Sequence, residues 1–364
     1  MKAIKPTWRL LDTGPRSAAY NMAADKVILT ARSKDQVANT LRFLEFSPPS
    51  ALVGYHQAVE LEVNEAYCRQ QGIEINRRIT GGGSIYLDEG QLGWEIFVHR
   101  ETPGIPQNLE DMYRRICEGA VAGLARLGVK AQFRPKNDIE VNGRKISGSG
   151  GAEFENAILY HGTLLTDFDV DTMIKCLKLP IHKLDDKPVQ SFKKRVICLR
   201  EILGDLPTLA VIKRSLMKGF MESFQIGLDP GDLNRDEIMS LEKELPYFRS
   251  QEWIRGMRPK FQNSTLQVAD HKTKGGLIRV SVLTDPSRHR IKSAFITGDF
   301  FAYPERSILD LEAALKDSSS HPADLFKTVT QFFAGREIRI PGIEPDDFYQ
   351  AISLGVTQAS RSKE

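Results

Sequence analysis

Three consecutive glycines, Gly81, Gly82 and Gly83, stand between strand-like flanks in Ile73–Val98, I-E-I-N-R-R-I-T-G-G-G-S-I-Y-L-D-E-G-Q-L-G-W-E-I-F-V. Glycine loses more backbone freedom on folding than any other residue, so such a run is poor material for a strand or helix interior. It fits a place where backbone must approach a ligand closely, with N–H groups aimed at an anion. Arg77 or Arg78 would then offer a planar fork of donors to a phosphate or carboxylate. The plain alternative is a glycine-rich turn flanked by solvated arginines, and spacing leaves both open.

Composition narrows the setting. A length of 364 residues implies two domains. With 41% hydrophobic and 27% charged residues the chain reads as an ordinary globular protein. A net charge of +3 is too small for a nucleic-acid binder, whose basic residues concentrate on one face. Cys68, Cys117, Cys176 and Cys198 lie far apart, with no C-x-x-C pair and no His cluster beside them. That spacing reads as reduced thiols, with neither a disulfide framework nor a zinc site. Met1–Arg9 has no apolar core of a secretory signal, and no apolar run is long enough to span a bilayer. The expectation is a cytoplasmic protein, monomeric, with no membrane and no nucleic-acid partner.

Periodicity outlines the elements. A short strand, Thr7–Leu11, is expected to end at the turn Asp12-Thr13-Gly14-Pro15, followed by a helix over Ser17–Arg32. Strands follow over Thr40–Phe46 and Ala51–Tyr55, then a helix capped by Asn64 and stopped by Gly72. Ser84–Leu87 and Gly93–Val98 read as paired strands. Asn108 with Asp111 opens a strong helix that stops at Gly128, with Cys117 as ordinary packing. Ala157–Phe168 reads as a strand in which His161 interrupts an apolar run. Leu179–Lys194 is polar and turn-like, and helices are expected over Val196–Leu203, Thr208–Phe224 and Arg235–Leu245. A boundary falls at Pro246, giving domains 1–246 and 247–364. The second is a small α+β module with strands over Gly276–Thr284 and His289–Thr297 and helices over Ser307–Leu315, Pro322–Phe333 and Pro345–Leu354.

Asn142-Gly143, between I-E-V and R-K-I, is a two-residue hairpin signal. It pairs Val141 with Arg144, Glu140 with Lys145, Ile139 with Ile146 and Asp138 with Ser147. Alternation then sets Asp138, Glu140, Lys145 and Ser147 on one polar face. A cross-strand ion pair of Lys145 with Glu140 would explain the lysine without chemistry. Gly148, Gly150 and Gly151 follow and permit close backbone approach.

The motifs L-D-T-G-P-R-S-A-A-Y-N-M-A-A-D (from Leu11), G-Y-H-Q (from Gly54), V-N-E-A (from Val63), R-R-I-T-G-G-G-S-I-Y (from Arg77), N-D-I-E-V-N-G-R-K-I-S-G (from Asn137) and H-G-T-L-L (from His161) together resemble the lipoate–protein ligase A family. E-W-I-R-G-M-R-P-K-F, from Glu252, is similar to that family's link into a C-terminal accessory domain. The resemblance spans nearly the whole chain. It implies an α+β fold related to biotin protein ligases, with mixed sheets packed by helices in the catalytic domain. It implies a reaction in which lipoate and ATP give lipoyl-adenylate, with the acyl group then passing to a lysine of an acceptor such as a 2-oxoacid dehydrogenase lipoyl domain or a glycine-cleavage H protein. By the same resemblance, Lys145 contacts nucleotide and lipoate carboxylate, and Arg78 binds phosphates. Gly81, Gly82, Gly83, Ser84, Ile85 and Tyr86 lie against the adenylate, and Asn137 and Asp138 lie near nucleotide and Mg²⁺, with Asp138 as the metal ligand. Ser147, Gly148, His161, Gly162 and Thr163 complete the site.

Three positions depart from the family pattern. Leu87 stands where many relatives have His, Pro135-Lys136 where many have Gly-Arg, and Gly150-Gly151 where many have Ala-Gln or Ala-Tyr. They leave the acyl pocket and acceptor preference open. An octanoyltransferase of the same superfamily is the main rival reading. That chemistry passes through a thioester and needs an activated Cys, or a Cys with a Lys partner. Relatives of this kind carry the Cys shortly before the hairpin, where Phe133-Arg134-Pro135 stands here, or after the H-G strand in a Pro-Cys setting. Cys198, between Ile197 and Leu199, reads as core. A non-catalytic lipoate or lipoyl-domain binding module and a biotin ligase are further alternatives.

Overall fold

The computed structural model describes residues 5–135, 137–178, 192–256 and 268–361. Most of the expected loop at 179–194, Lys136, and 257–261 of the expected link therefore lie outside the described residues. The strands are β1 Thr7–Arg16, β2 Thr40–Phe46, β3 Ser50–Val53, β4 Glu74–Arg77, β5 Ile85–Leu87, β6 Gln91–His99, β7 Gln132–Arg134, β8 Asp138–Val141, β9 Arg144–Phe154, β10 Ala157–Leu165, β11 Gly227–Pro230, β12 Val268–Lys272, β13 Leu277–Asp285 and β14 Arg290–Gly298. The helices are α1 Ala18–Ser33, α2 Val59–Glu62, α3 Glu65–Gln71, α4 Leu109–Ala125, α5 Val170–Cys176, α6 Leu199–Leu203, α7 Leu209–Phe224, α8 Arg235–Phe248, α9 Gln251–Arg255, α10 Ser307–Leu315, α11 Pro322–Phe333 and α12 Pro345–Arg361.

Contacts divide the chain into two compact units. Met1–Leu52, Glu62–Ile79 and Ile85–Ile254 form the first; Val53–Leu61, Thr80–Ser84 and Arg255–Glu364 form the second. α8 runs through Pro246 to Phe248, so the proline does not end the helix as the sequence reading expected. Capping contributes: the Asn234 side chain and Glu237 satisfy each other's backbone N–H groups at its start.

The first unit is built on an eight-stranded sheet in the order β11-β1-β2-β6-β10-β9-β8-β7. β1 pairs parallel with β2 and β11, and the other neighbours pair antiparallel. β1 does not stop at Asp12-Thr13-Gly14-Pro15: it passes through with a register shift between Asp12 and Pro15 and pairs on to Arg16. One sheet face carries Trp94, Ile96, Ile139, Ile146, Ile158, Tyr160 and Leu164 into a core shared with α4 and α7. Those two helices pack at small residues. A Cβ on Gly219 would stand 2.2 Å from the Gly123 backbone, and one on Gly119 2.2 Å from the Phe220 ring.

The other face of the sheet is covered at its middle by α1, which is capped by Ser17 accepting from the Tyr20 N–H at 3.2 Å. Beneath it, Arg42 is fully buried. It reaches Asp25 Oδ1 at 2.6 Å, Glu95 Oε2 at 3.0 Å, Asn21 Oδ1 at 2.7 Å and Thr13 Oγ1 at 3.2 Å. Burial and mutual repulsion raise the Asp25 pKa well above the carboxylate range, and burial raises that of Glu95. In the second unit the antiparallel sheet β12-β13-β14 packs with α10, α11 and α12 around Ile278, Val280, Phe300, Leu311 and Phe348. The α+β expectation, with a large mixed sheet and a small C-terminal α+β part, is met. Among the described residues no helix is long and apolar enough to cross a membrane.

Candidate active site

The Asn142-Gly143 turn has both residues at positive φ, +52° and +76°, as a two-residue hairpin requires. Val141 faces Arg144 and Glu140 faces Lys145, as expected. Beyond them the ladder shifts, so that Ile139 faces Ser147 and Asp138 faces Gly148. Ile146 is the extra residue of a bulge. Ser147 therefore leaves the polar face and joins the Ile139 side, 1% exposed, with no hydrogen-bond partner for Oγ. Asp138 moves level with Gly148, and the Lys145 side chain lies across that glycine. Lys145 Nζ stands 2.7 Å from Asp138 Oδ1. Glu140 is engaged elsewhere, accepting from Gln132 at 2.8 Å with Arg134 at 3.8 Å.

Rungs across the sheet show what shares this face. Asp138, Gly148, Thr163 and Gly93 lie in one row, and Gly150, His161 and Glu95 lie in the next on the same side. Lys145, Asp138, His161 and Thr163 are all half-buried there, so this part of the face stays open. Arg78 is buried in the same unit, with Nη1 3.4 Å from the Leu52 carbonyl. Burial lowers its pKa to about 10, so it remains a cation at neutral pH. Burial of its ring, and then the Arg78 charge, push His161 down to about 3, so the imidazole is neutral although part of it reaches solvent. Gly162 faces the core, where a Cβ would stand 2.2 Å from the Trp94 ring; its smallness serves packing.

Asn137 is tied to β9 by three bonds. Its carbonyl accepts from the Ser149 N–H at 2.8 Å and the Ser149 hydroxyl at 2.7 Å, and its side chain donates to the Ser149 carbonyl at 2.7 Å. Ser149 Oγ in turn lies 2.5 Å from Tyr160 Oη, which lies 3.3 Å from Cys117 Sγ. This buried chain fixes the residue next to Asp138, and sequence spacing gives no sign of it. On the opposite side of Lys145, its N–H donates to the Arg195 carbonyl at 2.8 Å and its carbonyl accepts from the Ile197 N–H at 2.9 Å. Val196 thus forms a parallel bridge to Lys145 just after a turn at Arg195, where a helix from Val196 was expected; the helix begins at Leu199. The β-branched pair Val196-Ile197 was the available signal. Cys198, expected in the core, is half-buried, whereas Ile197 and Leu199 on either side are buried.

The remaining expected residues belong to other segments. Ile85 and Tyr86 are in β5, paired with Leu52 and Ala51. Tyr86 is buried, and burial followed by the Asp88 charge raises its pKa. Leu87 is buried opposite Ser50. Arg77 is anchored by Nε to the carbonyls of Trp253 and Ile254, at 3.1 and 3.2 Å. Gly81, Gly82, Gly83 and Ser84 belong to the second unit. There the close approaches are to the chain's own backbone. A Cβ on Gly81 would stand 2.6 Å from the Phe300 carbonyl, and one on Gly54 2.0 Å from the Gly82 carbonyl. The Gly82 N–H, at φ +94°, donates to the Phe300 carbonyl at 3.2 Å. Gly83 is the exposed member of the run.

Among the described residues no three His, Cys, Asp or Glu side chains group as a metal site. One carboxylate combined with substrate phosphates and water is nonetheless the usual way Mg²⁺ is held. Asp138 offers one carboxylate of that kind, and its buried Oδ1 also faces Lys145 Nζ at 2.7 Å.

Residues 17–221 match the lipoyl protein ligase A/B catalytic domain model. The chain is 31% identical over 269 residues to the octanoyltransferase LipM of Kyrpidia tusciae, covering 68% of this chain and 98% of that one. It is 28% identical over 257 residues to LipM of Bacillus subtilis, covering 64% and 92%. Among solved structures, it superposes on the bipartite lipoate protein ligase of Thermoplasma acidophilum with a TM-score of 0.63 and 26% identity, over 71% of this chain and all of that one. With Plasmodium falciparum LipL1 it shares the fold over 96% of its length, TM-score 0.73 at 19% identity. The chain belongs to the lipoyl protein ligase A/B catalytic domain family.

Proposed function

We propose that this protein transfers a lipoyl or octanoyl group to a lysine of a lipoyl domain, and that it first activates the acyl carboxylate with ATP. The observation that carries the reading is the Lys145 ammonium laid across Gly148 beside Asp138, on an open face that also holds His161 and Thr163. A carboxylate oxygen attacking the α-phosphorus brings two anions together. The P–O bond to the β-phosphate breaks, pyrophosphate leaves, and an acyl-adenylate remains. A fixed ammonium offsets the repulsion and stabilises charge growing on the phosphoryl oxygens. Arg78, a cation in dehydrated surroundings, attracts a phosphate strongly for the same reason. Mg²⁺, held by Asp138 with the nucleotide phosphates, would neutralise further charge. The acceptor lysine then attacks the acyl carbon, AMP leaves with the bonding pair, and the amine loses its proton. The protein needs no nucleophile of its own. Lipoate–protein ligase A bound with ATP, and the T. acidophilum protein with bound lipoic acid, are similar structures that support both substrates. The T. acidophilum system, which includes an E2 lipoyl domain, supports such an acceptor.

Similarity to LipM relatives favours a second route better than the first: octanoyl transfer without ATP, through a thioester. That route needs a nucleophilic thiol. Burial pushes Cys117 up to about 11, and Cys68 and Cys176 are buried. Cys198, half-buried and just past the segment paired with Lys145, is the thiol left for it. Two assays separate the routes. Lipoate- or octanoate-dependent ATP–pyrophosphate exchange under Mg²⁺ supports adenylation. Octanoyl transfer from an acyl carrier protein without ATP, lost in Cys198→Ser, supports the thioester instead. Absence of both activities sinks both.

A further inference from the structure

We propose that Cys68 and Cys176 are a redox pair that a hydroperoxide closes into a reversible disulfide. Their sulfurs lie 3.2 Å apart in an S–H···S contact, both fully buried. The backbone around them is already clamped. The Asn64 N–H donates to the Cys176 carbonyl at 2.8 Å, the Asn64 side chain to the Lys175 carbonyl at 3.2 Å, and the Lys178 N–H to the Glu62 carbonyl at 2.7 Å. Val63 and Leu177 form the bridge between them. The thiols are thus held in register by main-chain bonds, and closing to a disulfide of about 2.05 Å asks for roughly 1 Å of sulfur movement.

The contact also differentiates the two groups. Sharing the hydrogen bond lowers the Cys68 pKa and raises that of Cys176, so Cys68 is the better thiolate. Its sulfur attacks one peroxide oxygen, the O–O bond breaks, and the second oxygen leaves as water after taking a proton. The Cys176 sulfur then attacks the sulfenic sulfur, the S–O bond breaks, and a second water departs. Two thiols and one hydrogen peroxide give one disulfide and two waters. Hydrogen peroxide is close to water in size. Cys176 is the last residue of the seven-residue α5, a length that does not hold a helix by itself, so local opening there gives the oxidant a route. The bond would tie α3, which leads through β4 to Arg78, to α5, which follows the strand of His161 and Thr163. Neither Cys117 nor Cys198 shares this contact, and the pairing stands whichever acyl route operates.

The test uses the full chain, reduced and desalted, then treated with a few equivalents of hydrogen peroxide and quenched. Thiol counting in denaturant should fall from four to two and return to four with dithiothreitol. Peptide mapping should show Cys68 joined to Cys176, and the oxidised protein should unfold at higher urea because the bond spans 108 positions. The double variant Cys117→Ser/Cys198→Ser should fall from two thiols to none, which keeps the test independent of any variant at the pair. Four thiols persisting, a sulfinic acid on Cys68, or a bond involving Cys117 or Cys198 would overturn the proposal.

Discussion

Lys145 Nζ lies 2.7 Å from Asp138 Oδ1, and the contact crosses Gly148 rather than the rung on which Lys145 itself is paired. The bulge at Ile146 makes this possible, because it brings Asp138 level with Gly148 while leaving Lys145 opposite Glu140. An ammonium and a carboxylate are thereby presented together on the open part of a sheet face whose reverse is closed core.

Lys145→Met should lower adenylation by about two orders of magnitude, since losing one preorganised charged donor costs about 3 kcal/mol at the transition state. Its urea midpoint should stay near that of the parent, because the pair is part-exposed and such pairs contribute about 0–1 kcal/mol to stability. Parent-like exchange in a folded Lys145→Met protein would reduce the lysine to a surface ion pair.

Gly148→Ala and Gly162→Ala separate site from scaffold. A Cβ at 148 would stand 2.7 Å from Lys145 Cε and Nζ, the free end of a flexible chain that can swing away. The protein should fold, with activity reduced at least tenfold by the displaced ammonium. A Cβ at 162 would meet the Trp94 ring, which the core holds on every side, at a cost of about 1–3 kcal/mol in stability. Activity measurements and urea unfolding on the two variants should therefore give opposite rankings.

The hairpin was legible because Asn-Gly is one of the few dipeptides that suit two successive positive φ values. The bulge after it was not, since nothing in I-S-G marks which residue is extra. For that reason simple alternation puts Ser147 on the polar face, whereas it sits on the Ile139 side. The glycine run reads in sequence as an approach to a ligand, whereas the close neighbour of Gly81 is the Phe300 backbone, which lies far along the chain and leaves no spacing signal. β11 was missed because G-L-D-P has turn composition, and only parallel pairing with β1 makes it a strand. Cys68 and Cys176 looked unrelated for the same reason: α3 and α5 meet only in the fold.

His161 should not titrate near neutrality. With its pKa lowered to about 3, it stays neutral in the folded state while the unfolded chain takes up a proton near pH 6.5. Between those values the unfolded state binds more protons, so stability rises with pH and the contribution is complete above about 6.5. The His161 ring resonances in an NMR titration should be flat from pH 5 to 8. A midpoint near 6.5 would mean the imidazole is solvated and free of the Arg78 charge.

Asp25 sets the opposite slope. Burial and Glu95 raise its folded pKa, while Arg42 at 2.6 Å pulls it down, and the net direction is upward. One guanidinium thus faces two buried carboxylates whose pKa values are both raised. Between the usual carboxylate pKa, about 3.9, and the raised value, the folded state holds more protons than the unfolded chain. Its stabilisation is complete below the unfolded pKa and is lost as pH rises through the folded one. Asp25→Asn keeps an acceptor for Arg42 and leaves Glu95 as its single counter-charge. Urea midpoints from pH 4 to 8 should therefore fall less steeply in Asp25→Asn than in the parent, with a residual slope because Glu95 is still desolvated. Arg42→Met should be far more damaging, by about 3–5 kcal/mol, since it strands both carboxylates without a counter-charge. Parallel midpoint profiles for parent and Asp25→Asn would show that the Asp25 pKa is not raised in the folded state.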